Sequence, residues 1–196
     1  MEKGYLQYKI LKPFYRNAGH NMCDDFKEYV SSADNLLDLG CGSGILAETI
    51  EDRFGIKVEG VDIIDMRAVD ISFRKYDGKD LSFIPDDSFD VVLISYVLHH
   101  AEDPISILKQ AGRIAKKYVI IYEDMNEGVI GRAYCKLHGK CFNNLLQGNN
   151  VEAKFFTERE WRNIFKDLNL EILKVKSKPY FLNPVKRKMF VLKKGV

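Results

Sequence analysis

The run Leu36-Leu37-Asp38-Leu39-Gly40-Cys41-Gly42-Ser43-Gly44 sets three alternating glycines just past an apolar stretch and just before a helical pattern. Glycine accepts positive φ and has no Cβ, so a ligand can approach the backbone there. A helix start adds unpaired N–H groups and the positive end of the helix dipole, which suits a phosphate or a carboxylate. Asp62 lies 18 residues beyond Gly44, at the end of a second apolar run. An acid in that place can accept from both hydroxyls of a ribose. Read from Gly42, the glycines and Ala47 also fit the G-x-G-x-x-G/A fingerprint of a dinucleotide site, so the spacing alone leaves a nicotinamide-dependent oxidoreductase open. Asp38 argues the other way, because a carboxylate beside the loop repels a pyrophosphate and attracts an ammonium group.

Other residue types with chemistry stand further on. His99 and His100 follow an apolar strand, where an imidazole can act as a general base. Glu123 and Asp124 follow the next strand and could orient a substrate hydroxyl or amine. Tyr5, Tyr8, Phe14, Tyr15 and His20 form an aromatic N-terminal stretch that could close over a substrate, with Tyr15 and His20 as the contacts. Cys135, His138 and Cys141 offer three metal-ligand types, but no fourth ligand is apparent and the spacing matches no common zinc site, so no metal is expected.

The elements that must position these residues alternate. Short strands are predicted at Leu36–Leu39, Ile56–Val61, Ile71–Tyr76, Phe89–Ser95 and Tyr118–Tyr122, and a closing pair at Leu170–Val175 and Lys188–Leu192. Helices are predicted over Ile45–Arg53, from Asp103-Pro104 onward, around Gly131–Leu137, and from Thr157 onward. Asp103 reads as a cap with Pro104 in the first turn. Thr157 with Glu160 reads as a capping box. Such alternation implies an α/β fold: a Rossmann-like, mostly parallel sheet of seven strands with helices on both faces and an antiparallel C-terminal hairpin. The chain is expected to form one domain over 1–196, with residues 1–33 as a helical cap and residues 125–156 as an insertion over the ligand crevice.

Taken together, these segments resemble the class I S-adenosylmethionine-dependent methyltransferases, in the branch of quinone-biosynthesis and other small-molecule enzymes. The resemblance rests on the acid-glycine loop, on Asp62, on the stretch from Tyr76 to Val92 that leads into strand four, and on Ser95-Tyr96-Val97-Leu98-His99-His100 with Asp103-Pro104 behind it. It covers residues 36–123 closely. It implies S-adenosyl-L-methionine as cofactor and S-adenosyl-L-homocysteine as product. The backbone at Gly40, Gly42 and Gly44 would then pass the methionine moiety, and Asp38 would lie near its amino group. Asp62 would take the ribose hydroxyls and Ile63 the adenine face, while Asp77 and the Gly78 amide would take the adenine edge. Tyr96 would form the floor of the transfer site. Only 14 residues separate Asp62 from Asp77 and they include a strand, so the helix expected between strands two and three is short or absent. Ala115-Lys116-Lys117 replaces the Pro-Gly-Gly usual before strand five.

Composition limits the alternatives. The chain has 196 residues, 46% of them hydrophobic and 30% charged, enough for a buried core and unlike a disordered or collagenous chain. No stretch approaches the roughly 20 apolar residues of a membrane span. The first residues show no secretory pattern, and the four Cys form no CxxC pair, so a cytoplasmic chain with reduced thiols is expected. Charge is uneven: residues 171–196 hold eight Lys/Arg against one Glu, in a chain of net charge +2. That tail motivates an RNA or protein methyltransferase as the rival to a small-molecule enzyme. DNA base methylation is disfavoured, since Ser95-Tyr96-Val97-Leu98 stands where an Asn-Pro-Pro-Tyr segment is often found. A non-catalytic binding module of the same fold is the other rival. The methyl acceptor and the oligomeric state are left open.

Overall fold

The computed structural model describes residues 8, 10–142, 153–178 and 185–195, apart from the side chains of residues 130 and 138–142. In chain order the elements are α1 (Lys12–Val30), β1 (Asn35–Leu39), α2 (Ile45–Phe54), β2 (Lys57–Asp62), β3 (Ser72–Lys75), β4 (Phe89–Ser95), a 3₁₀ turn (Leu98–His100), α3 (Pro104–Ile114), β5 (Ala115–Met125), α4 (Gly128–Phe142), α5 (Glu158–Asp167), β6 (Leu170–Lys178) and β7 (Lys186–Lys194). Residues 63–71, between β2 and β3, contain no helix. The strands form one sheet in the order β3-β2-β1-β4-β5-β7-β6, parallel except for β7, which runs antiparallel to both its neighbours. The strand order reverses between β1 and β4, and a ligand crevice forms beyond the strands' carboxyl ends at such a point.

Alternation along the strands builds two cores. Leu37, Leu39, Val92, Ile94, Ile121 and Phe190 face α3 and α5, where Leu108, Ala111, Trp161 and Phe165 meet them. Leu36, Val91, Leu93, Ile120 and Met189 face α1 and α2 through Phe26, Val30, Ala47 and Ile50. Each such fully buried aliphatic or aromatic side chain stabilises the fold by roughly 1.5–3 kcal/mol relative to exposure. α1 lies along α2, tied by Lys12–Glu48 at 3.0 Å and by the Arg16–Asp52 and Arg53–Asp24 pairs. The predicted caps are present. The Asp103 side chain accepts from Ser106 N–H at 3.0 Å. Thr157 Oγ1 accepts from Glu160 N–H at 3.2 Å, while Glu160 accepts from Thr157 N–H at 2.7 Å.

The last three strands are longer than their apolar runs, with β6, expected at Leu170–Val175, reaching Lys178. β5 was expected at Tyr118–Tyr122 and reaches Met125; β7 was expected at Lys188–Leu192 and begins at Lys186. β5 and β7 stay paired through Asp124 and its opposite residue Arg187, which form an ion pair at 2.8 Å, while Lys188 and Lys186, opposite Glu123 and Met125, pair with Glu158 and Glu127. Among the described residues no helix is long and apolar enough to cross a membrane. Cys23, Cys41 and Cys135 are free thiols, while the side chains of His138 and Cys141 lie outside the described residues.

Candidate active site

The glycine loop joins β1 to α2. Gly40 sits at φ +81° and Gly42 at φ +51°, in the left-handed region that favours glycine. Gly40 N–H donates to Val61 O at 2.7 Å, which closes the loop onto β2. A Cβ on Gly40 would collide with the Val97 side chain, whereas a Cβ on Gly42 would meet nothing within 4 Å. One glycine therefore packs against protein and the other faces open space. Gly42 N–H donates to Asp62 Oδ2 at 2.8 Å, and Asp62 Oδ1 accepts from Ile63 N–H at 2.7 Å. Asp62 thus fixes the loop as well as facing the crevice. Burial raises its carboxyl above the usual range, against the pull of these N–H groups.

Asp38 lies beneath the loop at 1% exposure, and neither carboxyl oxygen has a hydrogen-bond partner. Burial, and then the charge of Asp62, push its pKa to about 7. An unpartnered buried carboxylate is costly, and a cationic group brought beside it would relieve that cost.

A cavity of about 480 Å³ opens over Gly40, Gly42 and Asp62, and the buried Asp38 is not part of its lining. Gly40, Gly42, Asp62 and Ile63 line it from the β1–β2 side, Tyr76, Asp77 and Gly78 from the turn after β3, and Ser95, Tyr96, Val97 and His100 from the end of β4 and the turn that follows. Tyr8 lines it from the N-terminal stretch. Asp77 is exposed; its Oδ1 accepts from Lys79 and Asp80 N–H at 2.8 and 2.9 Å, and those bonds hold its carboxyl below the usual range. Tyr96 adopts φ +58°, a conformation that costs a non-glycine residue on the order of 1–3 kcal/mol and is concentrated at functional sites. Its N–H donates to Tyr122 O at 2.9 Å, and the Arg187 guanidinium carbon lies 5.0 Å from its ring centre.

Other expected site residues stand elsewhere. Glu123 and Asp124 do not follow β5 but belong to it, and are 1% and 3% exposed. Glu123 Oε2 is 2.5 Å from His99 Nδ1, and its Oε1 accepts from Leu98 N–H at 2.9 Å. Asp124 accepts from Arg187 Nε at 2.8 Å. Neither acid lines the cavity. Tyr15 also stays off the lining and packs its ring on Tyr8 with centres 5.5 Å apart. His20 is exposed on α1, where its carbonyl accepts from Arg53. Tyr5 lies outside the described residues. Tyr76 and Val97 were not singled out from the sequence as site residues. Their only signal was adjacency to Asp77 and Tyr96.

The basic tail is engaged internally. Lys174 pairs with Glu28, Lys176 with Asp25, Lys186 with Glu127, Arg187 with Asp124, Lys188 with Glu158 and Lys194 with Asp87.

A family model described as a methyltransferase domain matches residues 14–175. The chain belongs to the methyltransferase-domain family. That membership closes the oxidoreductase alternative left by the Gly42-Gly44-Ala47 spacing. Among curated relatives, the chain is 25% identical over 164 residues to the ubiquinone biosynthesis O-methyltransferase of Nitrosospira multiformis, covering 77% of this chain and 67% of that protein. It is 33% identical over 92 residues to the enzyme of the same name from Hahella chejuensis, covering 41% of this chain and 38% of that protein. It therefore spans well under half of one relative and about two thirds of the other. Among solved structures, a SAM-dependent methyltransferase from Methanosarcina mazei superposes with TM-score 0.67 at 22% identity, covering 87% of this chain and 97% of that one. One from Archaeoglobus fulgidus gives 0.69 at 17% identity, covering 91% and 94%. These likenesses establish a shared Rossmann-like fold for the methyltransferase-family chain, with the antiparallel pair at its C-terminal edge.

Proposed function

We propose that this chain moves a methyl group from S-adenosyl-L-methionine to a small-molecule nucleophile by in-line displacement, leaving S-adenosyl-L-homocysteine. The observation that carries the reading is the unpartnered, buried Asp38 beneath a loop whose Gly42 faces open space. A ligand that brings an ammonium group and a ribose diol fits that pair of features. The names of the curated relatives favour an oxygen acceptor.

When bound, the cofactor supplies an electrophilic methyl on a sulfonium sulfur. The chain's own residues do the rest. Asp38 takes the ammonium group, and the backbone at Gly40, Gly42 and Gly44 runs past the methionine portion. Asp62 takes the ribose hydroxyls with the lone pairs its N–H partners leave. Ile63 packs on the adenine face, and Asp77 with the Gly78 amide takes the adenine edge. Tyr96 floors the transfer point. Orientation of nucleophile and methyl supplies much of the rate effect.

Residues 1–196 act as one domain in this reading. Of the described N-terminal residues, Tyr8 would cap the site, with Tyr15 as its support. The 125–156 insertion would cover the acceptor side, though its residues 143–152 lie outside the described residues. Its return is anchored by Lys154 N–H on His99 O at 2.9 Å and by Phe155 stacked on His99 with ring centres 4.6 Å apart. The ion pairs of the basic tail favour a small molecule over RNA as the acceptor.

Calorimetry with S-adenosylmethionine, S-adenosylhomocysteine and NAD tests the proposal. Micromolar binding of the first two and none of NAD is expected. Asp62→Ala is expected to weaken S-adenosylhomocysteine by roughly 10- to 100-fold, since hydrogen bonds to charged groups are worth about 1.5–3 kcal/mol. Binding of NAD alone would sink the assignment.

A further inference from the structure

Two histidines follow β4, and their surroundings differ. His100 lines the cavity together with Tyr96, Lys79 and Glu102. His99 is 2% exposed, absent from the lining, and sandwiched near Phe155. Glu123 holds the turn at two points, His99 Nδ1 at 2.5 Å and Leu98 N–H at 2.9 Å. His100 N–H donates to Val97 O at 2.9 Å and closes the turn. Lys154 N–H, on His99 O, fixes it from the insertion side. A buried carboxylate–imidazole pair is weak evidence for stability, because desolvation offsets its attraction. Its geometric effect is definite: it fixes where residue 100 stands.

We propose that His100 is the general base that accepts the proton of a hydroxyl-bearing acceptor, and that Glu123 and His99 are positioning residues that hold the turn presenting it. This rests on the methyl-transfer reading above. The acceptor oxygen forms a bond to the methyl carbon, the carbon–sulfur bond breaks, and its electron pair stays on sulfur. The hydroxyl proton passes to the His100 imidazole, which later releases it to water. A neutral hydroxyl is a poor nucleophile and gains from such a base, whereas a thiolate does not need one.

His99 is unsuited to the role of base. Burial pulls its pKa down, but the charge and hydrogen bond of Glu123 outweigh burial and raise it. Asp124 from β5 and Arg187 from β7 also act on it, with opposite signs. The titratable groups that share the cavity wall with His100 include Asp62, Asp77, Lys79 and Glu102 and the phenols of Tyr8, Tyr76 and Tyr96, and His99 lies at a ring-centre distance of 4.0 Å.

The test uses the full chain with methyl-labelled S-adenosylmethionine and three probes: catechol, thiophenol and benzylamine. Calorimetric affinity for S-adenosylhomocysteine is measured in every variant. The expected result is catechol methylation whose kcat falls at least about 100-fold in His100→Ala, with cofactor affinity unchanged. The ring resonances of His100 are expected to shift when catechol joins the S-adenosylhomocysteine-loaded protein. Glu123→Gln is expected to lower kcat more than it changes KM and to move the acid limb of the kcat pH profile. A Glu123 variant that fails to fold leaves the His100 result standing, because His100 is only half-buried. Undiminished catechol methylation in His100→Ala would overturn the proposal, as would methylation of thiophenol or benzylamine alone, or of none of the three. Wild-type protein that binds no S-adenosylhomocysteine would instead remove the methyl-transfer reading on which the proposal rests.

Discussion

Gly40 and Gly42 share a left-handed backbone but differ in what stands beside them. Alanine at either position carries strain on the order of 1–2 kcal/mol. Only Gly40→Ala also drives a methyl into Val97. Urea unfolding should therefore show a larger stability loss for Gly40→Ala than for Gly42→Ala. Gly42→Val should fold yet lose S-adenosylhomocysteine binding, because its side chain enters the open cavity; wild-type affinity in that variant would contradict the site. Asp38 permits a prediction with a sign. Its carboxyl is raised from 3.8 to about 7 in the folded chain. Between those values the folded state holds a proton that the unfolded state has released. Stability contributed by this group therefore falls as pH rises through that interval, by up to about 1.4 kcal/mol per pH unit. Asp38→Asn removes the slope. Its stability relative to wild type should improve from pH 5 to pH 8 in urea unfolding, while its affinity for S-adenosylhomocysteine drops. Parallel pH profiles would show that Asp38 is not the strained acid. Legible in sequence were the cavity places of Gly40, Gly42, Asp62 and Asp77, residue types that suit close backbone approach or polar contact. Glu123 was not legible in its actual role, because a buried acid in a strand makes sense only once His99, 24 residues away in the chain, is known to face it.

The elements separate in the same way. Helix starts were readable because caps are local: Asp103 bonds Ser106 N–H, and Thr157 bonds Glu160 N–H. Thr157→Ala should cost about 1 kcal/mol. The check is a shift of the urea midpoint at unchanged m-value. α5 carries Trp161 and Phe165, stacked with ring centres 5.6 Å apart, and Phe165 meets Phe190 of β7. Weakening this helix should therefore loosen its packing on β7, and an unaltered midpoint would place α5's stability in packing alone. Strand ends were less readable because pairing is non-local. Nothing in the run Tyr122-Glu123-Asp124-Met125 announces a strand until Lys186-Arg187-Lys188 is laid antiparallel against it. His20 shows a third kind of limit. The aromatic N-terminal stretch suggests His20 as a substrate contact, but α1 packs along α2 and leaves His20 beside Arg53.

Across the whole molecule, the charge asymmetry resolves into internal pairing. The basic C-terminal strands lie against Asp25, Glu28, Asp124, Glu127 and Glu158, which come from the acidic remainder of the chain. A chain that uses its cations this way should bind RNA weakly. Fluorescence anisotropy with a labelled single strand should give little change in affinity between about 50 and 200 mM salt, whereas a phosphate-binding surface would lose several orders of magnitude. A steep slope abolished by neutralising Lys186 and Lys188 would restore the nucleic-acid reading. The sheet order, its reversal between β1 and β4, and the cavity beyond Asp62 meet at one place, and the central claim is that a sulfonium cofactor sits there. A crystal structure with S-adenosylhomocysteine tests this most directly. The account predicts its ammonium group at Asp38, its ribose hydroxyls on Asp62 and its adenine between Ile63 and the Asp77–Gly78 turn. Density for the ligand elsewhere, or an Asp62 carboxylate bonded only to Gly42 and Ile63 with the ribose turned away, would contradict it.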